Sequence, residues 1–449
     1  MSVRAASARH LRAGGAIAFS SLAAVAMLVI ACGCGGGDGS GVTTIRFWAM
    51  GREGEVVRDL LPEFERENPN IRVLVQQIPW TAAHEKFLTA HVGGSTPDVS
   101  QLGNTWMAEF AALRALEPLE PRTQPGAAVT RAAYFAGSWD ANVIDGTLFG
   151  VPWYVDTRVV FYNKVLLARA GFDAFPETWA EWRRAMEAVK ALGGEEGATR
   201  DDRFAILLPA NEWAQPVILG LQSGSKLLGD NGTRGVFAER EFRDAFEFYV
   251  GLFRDGLAPP LTNNEVSNLY QEFARGYFAM YISGPWNLGE FRRRVPPEMQ
   301  NDWGTAAIPG PRDGEPGVSI AGGSSLVVFR GSRNKDAAWK LVEFLSRPAT
   351  QVRFYELTGD LPARVEAWQD SALSRDPNVM AFAKQLESVV PCPLVPEWEL
   401  IAMRVQDRAE LAVRSNTPID SVLAGLDREV DRVLEKRRWL LGAHARGAS

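Results

Sequence analysis

Hydrophobic and polar positions along this chain follow two rhythms. Residues 43–48 alternate polar and apolar, the period of a half-buried strand. Residues 55–68 instead repeat at helical spacing, with Val56, Val57, Leu60, Leu61 and Phe64 on one face. Asn68-Pro69-Asn70 breaks that helix, and residues 71–77 predict a second strand. Residues 80–92 return to a helical pattern, Gly93-Gly94 stops it, and a third strand begins at Pro97-Asp98-Val99. This order of elements predicts an α/β fold with largely parallel pairing. Further along, helices are expected over 163–171, 178–192, 237–256 and 266–275, with strands over 204–208 and 278–282. Roughly 410 residues lie beyond the first forty, more than one ordinary core holds, so two lobes are expected.

The stretch from Gly146 to Lys164, GTLFGVPWYVDTRVVFYNK, carries the most chemistry. Val159 to Tyr162 are branched and aromatic, a buried strand by composition, and Asn163 ends it. Asp156 is a carboxylate among apolar residues. It either faces a wet cleft or caps the strand by satisfying nearby backbone donors, since a buried carboxylate needs a partner. Just downstream, Thr178 can cap a helix and Glu181, three residues on, can complete a capping box.

Several of these features together resemble a known family. Gly150-x-Pro152, Asp156 and Tyr162-Asn163-Lys164, followed by Thr178-Trp179-Ala180-Glu181, are similar to the hinge of family 1 solute-binding proteins. These are the maltose-binding-protein-like receptors of ATP-binding-cassette sugar importers. Gly276, Ala279-Met280 and Gly284-Pro285-Trp286 resemble a second signature of that family. Trp303-Gly304 to Pro309, the Gly322-Gly323 turn, residues 334–345 and Gly359-Asp360-Leu361-Pro362-Ala363-Arg364 follow in the family's order. The resemblance spans nearly all of residues 42–435. It implies a type II periplasmic-binding-protein-like fold, with two lobes hinged by three crossings near Tyr154, Ile320 and Leu357. The expected domains are residues 42–154 with 320–357 as lobe 1, and 155–319 with 358–440 as lobe 2. Ligand binding draws such lobes shut.

The start of the chain gives an address. Arg4, Arg9 and Arg12 precede an uncharged, mostly apolar run over 16–30. Val29-Ile30-Ala31-Cys32 resembles the lipobox of bacterial lipoproteins, which implies acylation of Cys32 and removal of residues 1–31. The run is short for a membrane span and reads as a cleaved signal peptide, with an uncleaved anchor as the alternative. Cys34 is a second lipidation candidate. Residues 32–41 form a glycine-rich tether. An exported protein, lipid-anchored to the cell membrane and facing the periplasm or cell exterior, is the expectation.

The chain carries 48 basic and 54 acidic residues, a net charge of −6. Removing the signal takes three arginines and no acid, leaving a mature charge of about −9, the wrong sign for nucleic acid. Cys392 has no mature partner except Cys34 in the tether, so no structural disulfide is expected.

A pyranose offers apolar faces and a rim of hydroxyls, so its pocket needs flat aromatics with ionised or amide groups. With 14 Trp the composition allows one, although core Trp is common. Trp286 follows Gly284-Pro285 directly after a strand, and by resemblance it stacks on sugar. Trp213, three residues before Pro216, and Trp398, in Pro396-Glu397-Trp398, fall where relatives place stacking aromatics. Asp156 matches a ligand carboxylate. Glu53 matches a charged sugar contact or is a helix first-turn acid favoured by the dipole. Asn104 and Trp106 fall where relatives place further contacts, while Trp80 and Trp153 could pack on the hinge. Gly322 and Gly323 form either a close-approach turn at the cleft wall or a plain turn. Arg364 is either a bidentate ligand donor or a hinge salt bridge.

The expected partners are a neutral di- or oligosaccharide and the transmembrane subunits of an importer, with the protein itself a monomer that needs no cofactor. The same fold could take a glycerol phosphodiester or a polyol, but a phosphate calls for two or more converging cations. A surface glycosidase is the reading from another class. No Gly-x-Ser-x-Gly elbow or P-loop occurs, and His84 and His91 lie two helical turns, roughly 10 Å, apart, too far to share a metal. No catalytic residue is therefore expected.

Overall fold

The computed structural model describes residues 41–193, 203–266 and 268–447. The basic start, the apolar run, Cys32 and residues 33–40 lie outside the described residues. No helix among the described residues is long and apolar enough to cross a membrane.

Two sheets organise the chain. The first has six strands in the order Leu361–Pro362, Val151–Asp156, Gly322–Val328, Val99–Gly103, Thr43–Met50 and Ile71–Ile78. The second has four, in the order Trp303–Ala306, Val159–Asn163, Phe278–Ser283 and Phe204–Leu207. Pairing is mixed, which corrects the largely parallel expectation. Thr43–Met50 runs parallel to both its neighbours, and Phe278–Ser283 runs parallel to Phe204–Leu207. Gly322–Val328, Val151–Asp156 and Leu361–Pro362 are antiparallel to their partners. They enter the first sheet from loops or from the other lobe, not from a local crossover helix, so nothing forces a parallel return.

Local sequence explains most elements. Asn163 caps the Lys164–Arg169 helix by accepting from the Leu166 amide at 2.9 Å. Thr178 Oγ1 accepts from the Glu181 amide at 3.2 Å, but Glu181 Oε2 reaches back to the Glu177 amide, not that of Thr178. The helix expected over 55–68 begins earlier, at Gly51, and is broken by a tight turn at Val57–Asp59 before Leu61–Glu67. Gly51 sits at a φ of 50°, which lets a helix start directly off the strand.

Between the sheets the chain crosses at Thr157-Arg158, which join Val151–Asp156 to Val159–Asn163. It returns beside the short parallel pair of Ser319–Ile320 with Val389–Val390. The last expected boundary, at 357, moves. Gly359, left-handed at φ 87°, ends the Pro348–Thr358 helix, and Leu361–Pro362 then adds an edge strand to the first sheet. Only later does the chain reach the second lobe, where Pro377–Leu386 packs on Trp303–Ala306 and the Trp398–Arg414 helix packs on Ile419–Val433.

Candidate functional site

A cleft of about 590 Å³ opens where the crossings meet. Seven sequence-predicted residues line it: Glu53, Asn104, Trp106, Asp156, Trp213, Trp286 and Gly323. Trp80, Arg52, Arg158, Arg293, Glu290 and Asp360 line it as well.

Glu53 sits in the first turn of the Gly51–Val56 helix and is buried. Its Oε1 accepts from Tyr154 Oη at 2.9 Å and from Gln101 Nε2 at 3.3 Å. Ser324 Oγ donates to Tyr154 Oη at 3.0 Å, so the carboxylate closes a network across three strands. Burial first, and then the Glu53 charge, push the Tyr154 phenol well above its ordinary range. Asp360 follows Gly359 and lines the same wall. Burial, then the Glu53 charge, push its carboxyl up to about 8.

Asp156 ends its strand at the first crossing. Arg158 Nη1 donates to its Oδ1 at 2.5 Å. Burial still pushes the Asp156 carboxyl up, against the pull of that guanidinium. The Gly322-Gly323 pair lies in a strand and not in a turn. At Gly323, φ is 109° and an added Cβ would meet the Tyr154 carbonyl at 2.4 Å, so only glycine fits beside the crossing. Asn104 donates to the Gly322 carbonyl at 3.1 Å and accepts from Ser325 Oγ at 2.9 Å, pinning that strand from the cleft wall.

Four indoles converge on the cleft. Trp80 and Trp106 meet edge-on at 5.9 Å, and His84 backs Trp106 at 5.2 Å while its Nε2 lies 2.6 Å from Glu109 Oε2. That hydrogen bond raises the His84 pKa. Trp286 opens the Trp286–Arg294 helix and stays 46% exposed, with the Arg158 guanidinium carbon 4.5 Å from its ring centroid. Gly284 makes room for it, since a Cβ there would lie 2.1 Å from the indole.

Two candidates are not at the site. Trp398 is 1% exposed inside the second lobe's core, where its ring meets Trp213 edge-on at 5.8 Å. It supports a cleft residue and does not face the cleft. Arg364 donates through Nη1 to the Ala128 and Ser346 carbonyls, both at 3.2 Å, and covers the Tyr134 ring. It ties the first lobe together because the chain has not yet crossed at that point. The residues that sequence reasoning passed over had signals. Arg158 lies two residues after Asp156, on the same side of extended chain, and Asp360 lies inside the quoted Gly359–Arg364 motif.

Among the described residues, no cluster of three or more His, Cys, Asp or Glu could hold a metal. Cys392, at the cleft edge, is buried, and that burial pushes its thiol up to about 12, far from thiolate chemistry.

The model of the bacterial extracellular solute-binding proteins matches residues 50–352, well over half the chain. The chain belongs to that family. A solved solute-binding neighbour, the sugar-binding protein MalE from Xanthomonas citri, is 48% identical. The match covers 89% of this chain and 99% of that one, with a TM-score of 0.86. This chain has the two-lobed, type II periplasmic-binding-protein-like fold. The diacetylchitobiose binding protein DasA of Streptomyces coelicolor is 27% identical over 80% of this chain and 81% of its own. The galactooligosaccharide-binding protein of Bacillus subtilis is 25% identical over 79% and 80%. This solute-binding chain thus matches sugar binders over most of its length.

Proposed function

We propose that this solute-binding protein captures a neutral di- or trisaccharide in the cleft and delivers it to the permease of an ATP-binding-cassette importer. One observation carries the reading. Four indoles face a cleft whose arginines already have partners: Arg158 on Asp156, Arg293 on Glu290 and Arg52 on the Leu357 carbonyl. Indoles suit the apolar faces of a pyranose. A phosphodiester calls for two or more converging free cations, whereas each of these arginines starts on a partner of its own. The volume falls in the span of about 300–1,000 Å³ usual for small-molecule sites. Sugar names on the relatives point the same way.

In this reading Trp286 and Trp213 stack on the ligand, Trp106 and Trp80 wall it, and Asp156 and Glu53 accept from its hydroxyls. Asn104 and Gly323 shape the wall. The lobes close about the crossings, and an acylated Cys32 holds the monomeric receptor at the membrane by its glycine tether. A thermal-shift panel of neutral oligosaccharides, sugar alcohols and glycerol phosphodiesters tests the ligand class, since a ligand of the native state raises its melting temperature. A shift with the diesters and none with the sugars would refute it. Release of Cys32→Ala from membranes, or its failure to be processed, tests the anchor.

A further inference from the structure

Arg158 is the residue on which the cleft's two best sugar-binding surfaces meet. Its guanidinium donates to Asp156 at 2.5 Å and lies over Trp286 at 4.5 Å. Its backbone amide donates to Ser319 Oγ at 3.2 Å, so it also bridges the first and second crossings. The pair is partly buried, and the Arg158 and Asp156 side chains keep 18% and 19% exposure.

We propose that Arg158 is a specificity-determining residue that covers Asp156 and Trp286, and that a ligand must displace it from both at once. This rests on the sugar reading above. A planar guanidinium satisfies a carboxylate through paired N–H groups and lies flat on an indole. A pyranose replaces both contacts together, with hydroxyls for the carboxylate and a C–H face for the ring. A ligand that offers only one of them leaves the other surface uncovered or the guanidinium in its way. A second carboxyl lies within electrostatic reach of the displaced cation. Glu212, next to Trp213, is a half-buried carboxyl that accepts from Asn263 Nδ2 at 3.3 Å; desolvation pushes it up, and the Arg158 charge already counters that push. The other groups near the guanidinium are Tyr281 and Cys392, a phenol and a thiol that burial pushes upward from ordinary values already far above a carboxyl's.

Two variants separate the contacts. Arg158→Lys keeps a cation for Asp156 without a planar face, and Arg158→Met removes both. In the ligand-free protein, acrylamide quenching measured against a Trp286→Phe background isolates Trp286. It should rise about two-fold in Arg158→Met, and unchanged quenching would overturn the proposal. Stopped-flow association is then measured with diacetylchitobiose, a galactooligosaccharide and maltotriose. For any of these that binds the parent, the association rate should rise about two- to five-fold in Arg158→Met, the factor that a cation–π contact at an exposed site represents. Arg158→Lys should fall between. Affinity ten-fold weaker in both variants, with association unchanged, would make Arg158 a ligand donor and end the proposal. If no sugar binds the parent, the sugar reading fails, and the quenching arm still decides whether Arg158 covers Trp286.

Discussion

Trp398→Ala separates a core tryptophan from a sugar-stacking one. The ring is 1% exposed, among the largest side chains of its lobe's core. Truncating such a side chain costs about 3–5 kcal/mol through lost transfer energy and the cavity left behind. The edge-to-face contact with Trp213 at 5.8 Å places the loss toward the upper end. One term opposes it. Trp398 Nε1 is buried with no hydrogen-bond partner, and deleting an unsatisfied donor returns about 1–3 kcal/mol. The net expectation is a loss of about 2–4 kcal/mol. For about 400 ordered residues the unfolding entropy is roughly 0.8 kcal/mol/K, so the melting temperature should fall by about 2–5 °C. Calorimetry of the ligand-free protein measures the fall, and sugar titration of the folded variant should show only the modest weakening expected from a loosened Trp213. An unchanged melting temperature with sugar binding abolished would return Trp398 to the ligand site and refute the packing argument.

Trp286→Ala should do the reverse: about 2–4 kcal/mol of sugar affinity lost, as for a binding hot spot, with little change in ligand-free stability because the ring is half exposed. Isothermal titration and a melting curve on one preparation check both. Asp156→Asn should weaken sugar binding by about 1.5–3 kcal/mol, the worth of hydrogen bonds to a charged acceptor, and a sugar Kd equal to that of the parent would leave Asp156 as no more than the partner of Arg158. Asp360 gives a pH signature. Its folded pKa, about 8, lies above that of an unfolded carboxylate, so the folded state holds the extra proton and stability falls as pH rises from about 4 to 8. Asp360→Asn should flatten that slope and melt higher than the parent near pH 8, with the gap closing toward pH 4; equal slopes in both proteins would show that Asp360 is ionised throughout.

Much of the hinge was legible because its signals are local. Thr178 caps its helix as its position suggests, and Asn163, expected to end a strand, also caps the helix that follows, since a cap needs only an amide two or three residues away. The strands 43–48, 71–77 and 278–282 match observed strands to within a residue or two, because alternation and β-branching act within the segment. Trp286 could be placed because Gly284-Pro285 follow a strand directly. The final boundary was misjudged because a two-residue edge strand, Leu361–Pro362, has no periodicity to read.

The sequence by itself determined several strands to within a residue or two, the capping threonine at 178, the motif at the first crossing and which family the chain resembles. Those properties depend on neighbours a few positions away. Tertiary structure decided which of the candidate tryptophans line the cleft and which fill the core, and which charges are already engaged. Trp213 and Trp398 touch although 185 positions separate them, and one lines the cleft while the other fills the core. Nothing local distinguishes them, because burial is set by which helices pack over each ring. The same holds for Asp360, whose pKa depends on a Glu53 that only the folded sheet brings near. A charge feels its surroundings through space, and the chain fixes those surroundings only once its distant segments meet.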